Sequence, residues 1–268
     1  MTGSWTAPDA PTVLHDEALR SALRALLLAM ADDDLVAGHR HSEWTGFAPD
    51  IESDVALSSI AQDELGHARL LYEQVGALDG VSADRLAFGR PAGDFRNAVL
   101  VERDNGDWAH TIVRAWLYDH ADAVRLAALA ASPLGSFAAL AKTVQREEKY
   151  HLVFSDAWLA RLTAASEDSR SRIQRSLGEV WPDAIDFFEA TPGVETLVAA
   201  GALTGGDTLS EAWHRMVTER LDVLRLTVPD AAPRPAGGGG RAGTHTPALA
   251  ALLDEMTSVW RTDPEARW

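Results

Sequence analysis

Cysteine is absent from all 268 residues. Disulfides, thiolate metal ligands and a cysteine nucleophile are therefore excluded, and any metal falls to histidine and carboxylate. That nitrogen-and-oxygen donor set suits iron or manganese, and also zinc. Positive charge is scarce: 24 Lys plus Arg stand against 40 Asp plus Glu, a net charge of −16. Such a balance works against wrapping a nucleic acid or resting on an anionic membrane, so neither is an expected partner. Long apolar runs are missing too, because the Ala- and Leu-rich stretches are broken by charge well short of a membrane span. The opening residues MTGSWTAPDAPTVLHDE carry no basic region followed by an apolar run. No signal peptide is read there, and a cytoplasmic location is the expectation. No β alternation of any length occurs, so the expected fold class is all-α.

What the chain does have is helical periodicity. Apolar residues make up 46% of it, enough for a core, and a single helical domain over 1–268 is expected, with a bundle core at about 16–164. Leu19, Leu23, Leu26, Leu27 and Met30 place a first helix over about 16–45. Gly46 and Pro49 end it, and Asp50 can cap a second helix over about 51–78, so the two form an antiparallel hairpin. A loop with short helical pieces runs to Gly106. A third helix is expected over about 107–131 and a fourth over about 133–164, with Ser132 as N-cap and Pro133 in the first turn. Ser166 caps a further helix that Pro182 should kink or break. Another helix covers about 207–226. Residues 229–244 read as a flexible linker because of their glycine run, and Thr246–Pro247 starts a last helix to about 261.

The second helix places Glu64 and His67 on the same stripe as Leu57, Ile60, Leu71 and Val75; the fourth does so with Glu148 and His151 among Phe137, Leu140, Val144 and Leu162. A carboxylate and an imidazole aimed into a core are costly unless paired, hydrogen-bonded or bound to metal. The three-residue spacing puts each pair on one helix face, so one metal can take the His and share the Glu with a neighbour. Two hairpins that each carry an inward Glu-x-x-His are the pattern of a ferritin-like four-helix bundle with a dinuclear carboxylate site. A third such pair, Glu211 and His214, is set aside, because Glu211 sits in a helix's first turn, where an acid favours the dipole, and no second hairpin partner is evident. The remaining two helices should each give one carboxylate. Asp119 stands 14 residues before a turn near 133 and Glu148 stands 15 after it, so these two should face each other. On the first helix two readings stay open. Glu43 is one, and hairpin symmetry brings Asp33 or Asp34 level with Glu64 instead, although Asp32 to Asp34 also read as a solvated charge cluster. His39 and His41 read as surface or outer residues, and the Trp residues as core or interface anchors.

GHRHSEWTGFAPDIESDVALSSIAQDELGHARLLYE at 38–73, REEKYHLVFSDAWLARL at 146–162 and GGRAGTHTPALAALLDEM at 239–256 together resemble the C-subunit family of the phenylacetyl-CoA epoxidases, within the ferritin-like superfamily. The resemblance implies a multicomponent monooxygenase of aerobic phenylacetate breakdown. In it a paralogous A-type subunit holds a di-iron site, binds the acyl-CoA and activates dioxygen, while a B subunit and an iron–sulfur flavin reductase complete the assembly. The C-type subunit is then a structural, non-catalytic partner of the A-type subunit. Carried over by motif, the metal ligand positions fall on Glu43 in HSE, Glu64 and His67 in DELGH, Asp119 in LYD, and Glu148 and His151 in EEKYH. All six ligand types are present, which keeps two rivals open: a catalytic di-iron oxygenase and a ferritin-like metal-binding protein.

Overall fold

The computed structural model describes residues 15–231 and 238–264 and shows helices and turns with no strand among them. Four long helices make the bundle: α1 Glu17–Ser42, α2 Ile51–Asp79, α5 Trp108–Ala130 and α6 Gly135–Ala165. The short α3 Ala83–Phe88 and α4 Val99–Glu102 lie in the connection between the two hairpins. Beyond the bundle come α7 Glu167–Ala184, α8 Val194–Ala199, α9 Gly206–Val223 and α10 Pro247–Met256. The all-α expectation and the hairpin order hold.

Local chemistry sets the ends. Asp50 accepts from Ser53 N at 2.8 Å, Asp107 from His110 N at 2.9 Å and Ser166 from Ser169 N at 3.1 Å, satisfying backbone donors that a helix start leaves open. Each such cap stabilises its helix by about 1 kcal/mol. Two boundaries differ from expectation. The fourth long helix begins at Gly135, not 133: Ser132 Oγ donates to Ala202 O at 2.7 Å and accepts from Leu134 N at 3.2 Å, so it reaches no further into the helix, and Leu134 is an N-cap without a side-chain bond. Pro182 does not break α7. It lies in the last turn, and the helix continues two residues beyond it to Ala184.

Helix α1 is buried almost all round from Ala22 to His41 and forms the middle of the molecule. A helix in that position must carry small or apolar residues on every face, which its Ala- and Leu-rich sequence supplies. At Gly38 an added Cβ would stand 3.1 Å from Ala61 O and from Glu64 Cβ, so the glycine lets α1 lie close to α2 at the level of Glu64. The cross-hairpin pairs define the remaining directions. Asp50 faces Arg161 and Asp63 faces His151, so α2 and α6 run antiparallel; Trp44 bonds Thr111 and Asp33 bonds Arg125, so α1 and α5 do as well. Trp44, Trp108 and Trp158 close one end of the bundle edge to face, and Trp116, Trp181 and Trp213 are fully buried. Trp5 and Trp268 lie outside the described residues.

The segment read as a flexible linker is, in its described part, tightly bound. Gly239 N and Arg241 N both donate to the Glu189 carboxylate at 3.3 Å. A Cβ on Gly240 would lie 1.9 Å from Asn97 O, so only glycine fits there. The glycines serve close approach at this point, not looseness; residues 232–237 lie outside the described part.

Candidate metal centre

Five side chains converge between the four long helices: Asp34 from α1, Glu64 and His67 from α2, and Glu148 and His151 from α6. They form two overlapping groups, Asp34–Glu64–His67 and Glu64–Glu148–His151, with the ligand-type atoms of each group within 4.8 Å of one another. All five are buried, Glu64 completely. His67 Nδ1 lies 3.2 Å from Glu148 Oε1, and His151 Nδ1 lies 3.3 Å from Glu148 Oε2 and 3.6 Å from Glu64 Oε1. Each histidine thus turns Nδ1 inward. Each turns Nε2 outward to a carboxylate of the opposite hairpin: His67 to Glu147 at 2.7 Å, His151 to Asp63 at 3.4 Å. Asp63 and Glu147 are the residues just before Glu64 and Glu148, so the two halves are wired reciprocally. An outer carboxylate of this kind fixes ring orientation and raises the basicity of the inward nitrogen.

Electrostatics follow from burial and crowding. Burial, then the charge of Glu148, push Glu64 up to about 7 against the pull of His151 and His67. Burial pushes Glu148 the same way, but His151 and His67 outweigh it and hold the carboxyl at about 2. For the histidines burial acts downward and the carboxylates win: Glu148, Asp34 and Glu64 lift His67 to about 10, and Glu148 and Glu64 lift His151 to about 12. Asp34 is raised well above the usual carboxylate range by burial and by Glu64 and Asp122 nearby. Without a cation other than protons, the cluster is therefore an imidazolium–carboxylate assembly with Glu148 as the shared anion.

Among the described residues, both Glu64 oxygens, His67 Nδ1, Glu148 Oε2 and His151 Nδ1 are buried with no hydrogen-bond partner. Buried polar atoms are normally satisfied, and five orphans facing one cluster mark the acid and imidazole groups as able to hold a metal ion. The donor set of two imidazoles and three carboxylates suits iron or manganese.

The other expected site residues stand as follows. Glu43, carried over from the HSE motif, does not join the cluster. It is the C-cap of α1, its side chain 35% exposed, paired with Arg40 at 2.6 Å and accepting from Asn105 at 2.7 Å. The α1 helix ends before it, so its side chain swings to the bundle end, and Asp34 is the first-helix carboxylate beside Glu64. Asp119 is buried, and burial raises its carboxyl well above the usual range against the pull of His151 and Ser155, but it enters neither group.

The solvated reading of Asp32 to Asp34 is overturned, since all three are buried. Consecutive helical residues point about 100° apart, so each meets a different neighbour. Asp32 takes Tyr72, Arg90 and Arg96 N. Asp33 takes Arg125, Arg241 and Ala98 N. Asp34 takes only the Tyr118 hydroxyl, at 2.8 Å, with Arg125 at 4.0 Å. His41 is also buried, not a surface residue, and burial together with Arg114 and His151 lowers it to about 3. Glu211 and His214 stay exposed on α9.

A family model described as phenylacetic acid catabolic protein matches residues 10–268. The chain belongs to the phenylacetic acid catabolic protein family. It is also 33% identical over 247 residues, 92% of its own length and 99% of the relative's, to the C subunit of the 1,2-phenylacetyl-CoA epoxidase of Escherichia coli (strain K12). In this member of the phenylacetic acid catabolic family, no helix among the described residues is long and apolar enough to cross a membrane. Sequence reasoning missed Asp63 and Glu147, although the signal was present: an acid precedes the Glu in both copies of the motif. It also missed Arg241 and Arg125, which no local pattern ties to Asp33.

Proposed function

We propose that the chain is the structural, non-catalytic C-type subunit of a multicomponent 1,2-phenylacetyl-CoA epoxidase, holding a di-iron A-type subunit in its active form, with a B subunit and a reductase completing the assembly. Near-complete coverage of the Escherichia coli relative supports membership of such an assembly. The structural role rests on one observation. A dinuclear site between four helices needs a carboxylate from each outer helix, whereas α5 contributes none to either group: Asp119, its one candidate, enters neither. The cluster then serves this chain as a buried polar lock between the hairpins: Glu148 pairs with both histidines, and Tyr118 orients Asp34. Leu71, Leu126, Phe137 and Val144 pack beside it and exclude water.

A second reading, a metal-binding or catalytic di-iron protein in its own right, is favoured by the five unpartnered atoms. Asp34, Glu64 and His67 would hold one ion and share Glu64 with Glu148 and His151. Bound iron would supply the capacity to take up dioxygen and electrons. The readings separate on iron content and turnover. The chain purified alone and after anaerobic iron loading is expected to hold less than about a tenth of an iron per chain and to turn over phenylacetyl-CoA only with an A-type partner. Stoichiometric iron that Glu148→Ala abolishes would establish the second reading, and failure to co-purify with the partner would remove the first.

A further inference from the structure

Only two lysines occur in the whole chain, Lys142 and Lys149, and both lie on α6 beside the cluster. They share one outward line with Arg146: positions 142, 146, 149, 153, 157 and 160 follow the helical repeat and read Lys, Arg, Lys, Val, Ala, Ala. The acids of the same stretch face elsewhere. Glu147 turns to His67 and Glu148 into the cluster. In the stretch KTVQREEKY, whose charges nearly balance in sequence, Glu148 is buried and Glu147, though 54% exposed, is engaged by His67, while the three cations stay exposed. Lys142, Arg146 and Lys149 are exposed and make no ion pair with any described residue; Lys149 leans over the Tyr150 ring at 4.6 Å instead. Tyr150 and Val153 beside them are 63% and 66% exposed, and Val55 and Leu70 of neighbouring α2 are exposed as well.

We infer that this basic and apolar face of α6, with the adjoining edge of α2, is the docking surface for an acidic helical companion protein of the assembly. The inference rests on the subunit reading above and names the surface it uses. Charge supports it. On a chain of net −16, an acidic partner is repelled by most approaches, and three exposed cations in one line, none of them in an ion pair with a described residue, favour this approach and its orientation. Extent supports it too. The line from Lys142 to Ala160 is ~27 Å long, and with α2 beside it the face is roughly 20 Å wide. Its area of roughly 500 Å² is the centre of the ~800 Å² that each partner of a stable complex covers. The face also lies over Asp63 and Glu147, the outer partners of the cluster histidines, so the docked companion would cover the cluster's links to solvent.

The test measures binding of the A-type companion from the same host to the full chain by calorimetry, at low and at moderate salt. Wild type is expected to bind, more weakly as salt rises. The triple variant Lys142→Glu, Arg146→Glu, Lys149→Glu is expected to lose at least about tenfold in Kd, while Arg175→Glu with Arg215→Glu, reversals at exposed sites on α7 and α9, bind as wild type. The charge-neutral triple Lys142→Gln, Arg146→Gln, Lys149→Gln should fall between, and it decides the matter if the first variant fails to fold. Wild type that does not bind at all removes the subunit reading itself. Wild type that binds equally well with all three charges reversed overturns the surface while leaving that reading intact. Two other results also overturn it: concentration-dependent self-association abolished by the reversals, which would assign the face to a second copy, and coenzyme A binding lost by the reversals with companion binding unchanged, which would assign it to a small anion.

Discussion

Asp33 and Asp34 are neighbours on one helix and equally deep in the molecule, yet their surroundings are opposite. Around Asp33 every charge is answered: Arg125 Nη1 reaches it at 2.6 Å, Arg241 grips both oxygens at 2.8 Å, and Ala98 N donates at 2.7 Å. Asp34 has the Tyr118 hydroxyl, but beside it the oxygens of Glu64 and Glu148 and the nitrogens of the two histidines confront one another at 3.2–3.6 Å with several atoms unpartnered. The first arrangement is what a fold needs to hold two arginines in its core. The second is costly as it stands, and such a cost is characteristic of a place built for an ion or retained from one.

Removing either side of the first network should do the most damage. Asp33→Ala strands two buried guanidiniums, and a loss of about 3–5 kcal/mol is expected in urea unfolding. A loss under about 1 kcal/mol would mean the network behaves like a surface pair. Arg241→Ala leaves Arg125 on Asp33 and should cost about 2–3 kcal/mol; limited proteolysis should then release the segment from 238 onward well before the bundle is cut, whereas simultaneous digestion would contradict the anchoring role.

The second region should reveal itself through pH. His67 and His151 bind protons more tightly folded, at about 10 and about 12, than at their ordinary 6.5. Their contribution is fully present below about 6.5 and is lost as pH rises through the folded values. The metal-free chain should therefore show a Tm that falls between pH 6.5 and 10. Glu64, raised from 4.5 to about 7, loses its contribution in the same direction over the interval below. Because metal takes neutral imidazole and ionised carboxylate, iron that binds should flatten or reverse this slope, and a slope indifferent to iron would sever the cluster from metal. The smallest effect belongs to Asp34→Asn. Asp34 is already pushed toward its neutral form, so the change should move metal-free stability by less than about 1 kcal/mol. A loss as large as that of Asp33→Ala would erase the distinction between the two residues.

Much of this is readable from the residues alone. The apolar period places the four long helices, and Asp50 marks the start of α2 as Ser166 marks that of α7. Duplicated Glu-x-x-His within apolar stripes brings Glu64, His67, Glu148 and His151 to one level. The first-helix carboxylate is harder. Three aspartates in a row sample nearly every direction around a helix, and which one points inward depends on how the turn at 43–50 sets the hairpin register. Glu43 lies in the better motif but beyond the helix end. Asp119 is buried as expected, yet it stands outside both groups. Glycines 237–240 suggest looseness because missing side chains raise chain entropy; the same lack permits the approach of Gly240 to Asn97 that seats Arg241.

That seating bears on how the protein is made. Arg241 lies 208 residues after Asp33, so a ribosome delivers the whole bundle before the guanidinium that completes its central helix. Until then Asp33 depends on Arg125, and the hollow beside Phe187 and Ala29 is open to water. Nascent chains cut short of the last thirty or so residues should linger with chaperones, because the final stretch is the bolt that closes what the first helix began.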